Sequence, residues 1–286
     1  METNIGIQIL SMVLYIAVLL VVVDVMRKNP RFALVFWLLA ILTFPLWGNY
    51  VDGWFRWVKT LSVLLPTAFL VGFGRYAELY KKENFLKIFR GEWLIWTLYG
   101  VLFLNIAEAT LKDFQTGNIF NAVSGVILCI TQPLVKYRYI KKRFWSIGKE
   151  GSNGDLIAYT NGAWNFLYTT WNLAFVYGEA GPFFASSCCI LLAAELYPIL
   201  LKRPELYITA RVYTLATHIL LRATGAGVLF EKFMNASSWV GNGQLLYYWG
   251  LGNMVLHIPY LFYYFWKLRK TRNLEATRTD TMSVTS

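Results

Sequence analysis

IGIQILSMVLYIAVLLVVVDVMRKNPR, residues 5–31, is the stretch that decides the fold. Its apolar run, about 5–25, has the length a helix needs to cross a hydrocarbon core of roughly 30 Å at 1.5 Å per residue. Arg27, Lys28 and Arg31 then close it with a basic cluster. The same unit recurs. Apolar segments lie at about 5–25, 32–48, 57–74, 92–110, 117–136, 157–177, 182–201, 207–229 and 244–266, nine in all. Of the 286 residues 57% are hydrophobic and 15% charged, values that a water-soluble domain rarely reaches, so the bilayer is read as the solvent. The opening METNIGIQIL has no basic region before its apolar run, which is also too long for a cleavable signal, and it reads as the first transmembrane helix.

The net charge of +11 could suggest nucleic acid, but the cations are spread over five loops instead of gathered on one surface. Of the 27 Lys and Arg, 21 fall in the first, third, fifth and seventh loops and the last stretch of chain. The intervening loops hold only Arg56, Lys59, Lys112 and Lys232. This alternation predicts an all-α, polytopic transmembrane bundle in the cell membrane, with the N-terminus outside and the C-terminus cytoplasmic. Nine being odd, the span count agrees. Arg211 and Arg222 are the two arginines the charge pattern does not explain.

One integral-membrane domain is expected over 1–272, with a cytoplasmic connector at about 137–156 that is too poor in apolar residues to build a core. The segment 273–286 is polar and is expected to be disordered. Cys129, Cys188 and Cys189 all lie in apolar spans and read as small buried hydrophobes. Trp47, Trp54, Trp57, Trp93, Trp96, Trp145, Trp239, Trp249 and Trp266 sit near span ends, where an aromatic belt at headgroup depth accounts for them. Trp164, Tyr168, Trp171 and Tyr213 lie in mid-span and are candidates for lining a pocket. Arg75 and Asp24, at cytoplasmic boundaries, read as interfacial.

Polar side chains at membrane depth are costly unless partnered, so each is a functional candidate. Asn105, Glu108 and Lys112 follow at i, i+3 and i+7 on one helical face. Asn161, Asn165, Tyr168 and Asn172 make a second stripe, Arg211, Thr214, His218 and Arg222 a third, and Asn253 and His257 stand one turn apart. Matching depths across the expected topology sets Glu195 beside Arg211 as an ion pair. It also sets Glu108, Arg222 and Lys59 in an outer cluster, with His218 and Asn165 nearer the middle. The plain alternative for all of these is hydrogen bonding that glues helices together.

Two arginines on one stripe suit an anionic headgroup, because the guanidinium fork matches a carboxylate. A fatty acid fits, its chain lying in the aromatic interior while a buried His or Glu moves protons on it. There is no HExxH, GxSxG, Walker or DDxxD pattern and no dinucleotide fingerprint, and two histidines in different spans argue against a metal site. No metal or cofactor is expected.

The stretches GWFRWVK (53–59), NIAEATLKDFQTGNIFNAVSG (105–125), WNFLYTTWNLAFVYGE (164–179) and ARVYTLATH (210–218) resemble a largely uncharacterised bacterial multi-pass family that includes membrane-bound linoleate isomerases. The resemblance spans helices three to eight. It implies conversion of linoleate, a 9-cis,12-cis diene, to a conjugated 9,11-diene without net oxidation. A proton would leave the carbon between the double bonds, and one would return at the far end of the pentadienyl system. Such a C–H is so weakly acidic that positioning and exclusion of water are required as well as a base. On this reading Glu108, His218 and Glu195 are the catalytic candidates, and Arg211 or Arg222 holds the carboxylate. Asn105, Asn165, Tyr168, Asn172 and Tyr213 complete the substrate path, and the partners are membrane lipids and the free fatty acid. The competing classes are a transporter or channel for a small anionic or polar metabolite and a structural or regulatory membrane protein. No repeat between the halves is visible to favour transport.

Overall fold

The computed structural model describes residues 4–81, 83–148 and 153–284; of these, the side chains of Phe55 and of 275–284 are not considered. Among the described residues the protein is mostly helical, 78%, with twelve α-helices. They are α1 (Ile5–Lys28), α2 (Pro30–Leu42), α3 (Phe44–Trp47), α4 (Trp54–Leu65), α5 (Phe73–Leu79), α6 (Glu92–Gln115), α7 (Ile119–Thr131), α8 (Gly162–Glu179), α9 (Phe184–Leu200), α10 (Tyr207–Ala223), α11 (Gly227–Phe233) and α12 (Gly243–Val284). A π-helical segment, Pro66–Gly72, joins α4 to α5.

Among the described residues four stretches are helical, long and apolar enough to cross a membrane: Ile5–Lys28, Arg56–Leu79, Glu92–Gln115 and Gly181–Leu200. A fifth is reached if Pro204–Ala223 and Gly227–Phe233, bent by 95° from each other, count as one. Each of the nine apolar segments contains helix, but residues 132–136 and 157–161 are not helical, and α2 and α7 are only 13 residues long, about 20 Å. α7 ends at Gln132, whose ψ of 119° is extended, because the residue before a proline, here Pro133, is driven out of the helical region; α2 is followed after Thr43 by the short α3, whose first turn holds Pro45. The bend after α10 falls at Gly225, whose φ of +90° only glycine adopts without strain and whose missing Cβ leaves room for the Tyr50 ring.

The outward surface is apolar. Ile9, Val13, Val18 and Val21 of α1 and Val255, Phe262 and Phe265 of α12 are exposed. Only 22% of the best apolar window of α1 is buried within the protein. Inside, Trp37, Trp164, Trp171, Tyr207 and Tyr213 form the centre of the main core. Trp54, Trp93 and Trp266 are exposed as a belt requires, whereas Trp47 and Trp145 are fully buried core residues.

The connector differs most from expectation. It is not a solvated loop: Trp145–Ile147 (β1) and Leu156–Ala158 (β2) pair antiparallel and close one end of the bundle, with Asp155, Leu156, Ile157 and Ala158 at most 1% exposed. Residues 149–152 of the connector lie outside the described residues. Trp145, Ile147, Leu156 and Ala158 join the main core of the bundle, and arginines tie the connector's turn in place. Arg27 meets Asp155 through two parallel hydrogen bonds, Nε to Oδ1 at 3.0 Å and Nη2 to Oδ2 at 2.9 Å, and Arg203 approaches Oδ2 at 3.7 Å. Arg75, expected at the interface, is 1% exposed. Its guanidinium donates to the carbonyls of Met26, Arg27, Asn153 and Gly154 and to the Tyr213 hydroxyl. Asp24 meets Lys28 and accepts from Tyr197. Thus residues of the first, third, fifth and seventh loops meet at one end of the bundle.

The described part of the segment 273–286 continues α12 as helix through Val284. Between Pro259 and Val284 the chain has neither Gly nor Pro to stop it.

Replacing Asp155 by Ala strands a buried guanidinium. A loss of about 3–5 kcal/mol is expected, read as a fall in the thermal midpoint in detergent micelles. The Arg27→Met/Asp155→Leu pair, apolar on both sides, recovers most of it.

Candidate functional site

Helices α4, α6, α8, α9 and α10, with the π-helical Pro66–Gly72, enclose an inner cavity of about 230 Å³. Val63, Val71, Leu98, Leu102, Phe175, Leu191 and Leu215 give it apolar walls, and Trp145 and Leu156 of the connector contribute to the lining. Six polar side chains that the sequence placed on separate stripes line it together, Asn105, Tyr168, Asn172, Arg211, His218 and Arg222, and Lys59 of α4 joins them. The stripes meet because the i, i+3/i+4, i+7 spacing puts each set on one face, and α6, α8 and α10 turn those faces to the same space.

An outer cavity of about 470 Å³ shares Lys59, Ser187 and Arg222 with the first. Here the expected outer cluster forms. Lys59 Nζ lies 3.1 Å from Glu108 Oε2 and 3.3 Å from Asn105 Oδ1. Lys112 faces Glu179 at 3.8 Å. Arg222 has no carboxylate within ion-pair distance among the described residues; its guanidinium stands 3.9 Å from the centre of the Phe183 ring.

Arg211 is the unusual member. It is 8% exposed, and its Nε and Nη1 are buried without a hydrogen-bond partner. Its guanidinium carbon stands 5.9 Å from the centre of the Tyr168 ring. The expected ion pair with Glu195 does not form. Glu195 accepts from Thr169 Oγ1 at 2.8 Å, Thr169 is linked in turn to the Tyr207 hydroxyl, and Glu195 lines neither cavity. Equal depth along two neighbouring helices was the basis for the pairing, and depth does not fix the facing direction.

His218 is 3% exposed, lies 3.1 Å from the Tyr15 hydroxyl through Nδ1, and stacks on Phe230 at 4.9 Å. Its Nε2 is buried without a partner. Asn165 and Tyr213 are not in the lining of either cavity. Asn165 donates to the Pro204 carbonyl at 3.0 Å, and Tyr213 accepts from Arg75 while stacking on Trp37. Their roles are in holding α8 and α10.

A second polar network went unseen in the sequence. Asp113, 3% exposed, accepts from Asn118 at 3.1 Å and from Asn121 at 2.7 Å. Asn121 Oδ1 accepts from Asn253 at 2.8 Å, and Thr170 donates to Asn253 Oδ1 at 3.0 Å. At Gly250 α12 comes so close to α7 that a Cβ would stand 2.8 Å from Asn118 Oδ1. The network ties α6, α7, α8 and α12 and has its donors and acceptors matched, as helix gluing requires. The available signal was Asp113 itself, an acidic residue five positions past Glu108 and directly after Lys112.

Among the described residues no group of three or more His, Cys, Asp or Glu could hold a metal ion. The three cysteines are free, with Cys188 and Cys189 buried. The cavity can therefore offer charge, hydrogen-bond donors and an apolar wall. Comparison with protein-family models, curated proteins and solved structures gives no match.

Because the Arg211 guanidinium has unmet donors, Arg211→Met leaves the thermal midpoint unchanged or raises it. Asn121→Leu, which strips a partner from Asp113 and from Asn253, lowers stability by about 1–3 kcal/mol. Thermal unfolding of both variants in one detergent checks the contrast.

Proposed function

We propose that this protein is a membrane-embedded fatty-acid isomerase that converts linoleate to a conjugated 9,11-diene. It would be seated in the cell membrane as nine spans with the N-terminus outside and the C-terminus cytoplasmic. The observation that carries the reading is Arg211, a buried cation with unmet donors in a largely apolar cavity. A group so costly to bury is retained where a ligand completes it, and a carboxylate is the complement of a guanidinium fork. His218 follows Arg211 by seven residues, about 10 Å along the helix, so a chain anchored at Arg211 carries its middle past His218. The inner cavity is small for a long acyl chain, and the outer cavity that shares its wall takes the remainder.

The topology is supported by the meeting of the four basic loops around Asp155 and Arg75, and by the apolar outer surfaces of α1 and α12. The short spans are α2 and α7. Irregular backbone at membrane depth is tolerated where protein covers it. Trp47 and Val51 after α2, and Gln132 and Val135 after α7, are all buried.

In the reaction, one proton leaves the carbon between the double bonds and one returns at the far end of the pentadienyl unit, so no oxidant is consumed. His218 in the inner cavity and Glu108 in the outer one are the candidate proton carriers. Trp145 and Leu156 of the connector help keep water from the inner cavity. One observation favours transport as the second reading: the 95° break directly after α10, beside two adjoining cavities.

Membranes from expressing cells, incubated anaerobically with linoleate under reducing conditions, develop the ultraviolet absorbance of a conjugated diene. Arg211→Met raises KM about 10–100-fold through loss of a charged hydrogen-bonded anchor. Glu108→Gln and His218→Phe each lower turnover while folded protein persists. Uptake of an anion into proteoliposomes with no diene formed would support transport in place of isomerisation.

A further inference from the structure

We infer that His218 presents an N–H donor to the inner cavity, because Tyr15 occupies its other nitrogen, and that the site takes a long-chain acid with an electron-rich acceptor in mid-chain. The second half of this rests on the reading of Arg211 as the carboxylate anchor.

The two ring nitrogens of His218 have different surroundings. Nδ1 is 3.1 Å from the Tyr15 hydroxyl, and Tyr15, from α1, is itself 8% exposed and does not line the cavity. The phenol has no other hydrogen bond among the described residues. Were Nδ1 the protonated nitrogen, the phenol would accept and its own hydrogen would have no acceptor, while Nε2 would hold an unmet lone pair. With the phenol donating to Nδ1, only one group is unmet, the hydrogen on Nε2. The second arrangement leaves fewer buried polar groups without partners, and buried polar groups are as a rule satisfied.

The surroundings also bear on the charge of the ring. Arg211 precedes His218 by two turns on α10, and Arg222 follows by one. The packed neighbours from other elements are Tyr15 of α1 and Phe230 of α11, and no carboxylate pairs with the ring among the described residues. Two guanidiniums and no anion make a third cation unfavourable, so the ring is a neutral imidazole with its proton on Nε2.

That Nε2–H is buried, has no partner in the protein, and belongs to a side chain lining the cavity. It stands about 10 Å from the anchor along the helix, a distance that matches the interior of an acyl chain and not its headgroup. Two chemistries meet such a donor there, the π-face of a cis double bond and the oxygen of a hydroxyl or oxo group. Either is aligned by His218, and Tyr15 acts as the positioning residue that fixes which nitrogen carries the proton.

The chain has only two histidines, so nitrogen-15 spectra of histidine-labelled protein in nanodiscs are readable, with His257→Gln assigning the signals. Wild-type His218 is expected to show a protonated Nε2 and a bare Nδ1, and Tyr15→Phe to lose that pattern for a mixture of tautomers. A protonated Nδ1 or an imidazolium in the wild type overturns the inference. Binding of three acids of equal length, one saturated, one with a mid-chain cis double bond and one with a mid-chain oxo group, is then measured by calorimetry with the intact protein. At least one acceptor-bearing acid binds about 3–10-fold tighter than the saturated one, and the advantage disappears in Tyr15→Phe and in His218→Phe. Which acid gains identifies the acceptor as olefin or oxygen. Equal affinity for all three overturns the ligand class. Arg211→Met weakens all three alike; if it weakens none, the carboxylate anchor fails while the tautomer result stands separately.

Discussion

A guanidinium taken out of water must have its donors met, and in this fold Arg75 satisfies that requirement with four backbone carbonyls and a phenol drawn from distant parts of the chain. Met26 and Arg27 belong to the end of the first helix, Asn153 and Gly154 to the connector, and Tyr213 to α10. Beside it the Arg27–Asp155 pair repeats the principle with a carboxylate. Neither arginine could be satisfied by helices alone, since the carbonyls inside a helix are already taken. The connector is therefore not an appendage to the bundle. Its turn supplies two free carbonyls to Arg75 and a carboxylate to Arg27, and its two short strands contribute Trp145 and Leu156 to the wall of the inner cavity.

Single buried polar atoms without a partner also occur at Trp37, Gln132, Trp164, Asn165, Thr217 and His257, but among the described residues only Arg211 and His218 combine such an atom with a place in the inner cavity wall. Arg211 and His218 keep donors or acceptors unmet at a burial as deep as that of Arg27, and they do so on one face of one helix. Folding gains nothing from leaving them so. The cost is local and is carried by the surrounding apolar core, whose aromatic residues Trp164, Tyr168 and Trp171 stack along α8 behind the cavity.

Much of this was legible in the chain because helical periodicity is a local property. Asn105, Tyr168, Asn172, Arg211, His218 and Arg222 were gathered by spacing alone, and the structure brings them to one space. What spacing cannot supply is the rotation of one helix against another. Glu195 was set opposite Arg211 by depth and faces Thr169 instead, and Tyr213 shares a helix with Arg211 yet looks toward Arg75. Composition misled in the opposite direction. Arg27 and Arg75 were absorbed into the count of basic loop residues, and the connector looked too polar to be buried, because the charge pairing that ties its turn leaves no hydrophobic signature. The short helices α2 and α7 show the same limit, since an apolar run records solvent preference and not helix length.

The π-helical turn at Pro66–Gly72 connects these two regions. Its i→i+5 bonding winds the backbone more loosely than an α-helix, so it changes the angular phase between the residues before and after it. Lys59, Ser62 and Val63 face the cavity from before the turn, Thr67 and Val71 from within it, and Arg75 finds its carbonyl socket just after. Were the segment to tighten by one residue into α geometry, everything beyond it would turn by about 100° about the axis, and Arg75 would leave its socket while Lys59 stayed in place. The turn thus works as an index mark between the ligand-facing half of this helix and the half that locks the connector, so that the cavity wall and the seal at its end keep a fixed alignment.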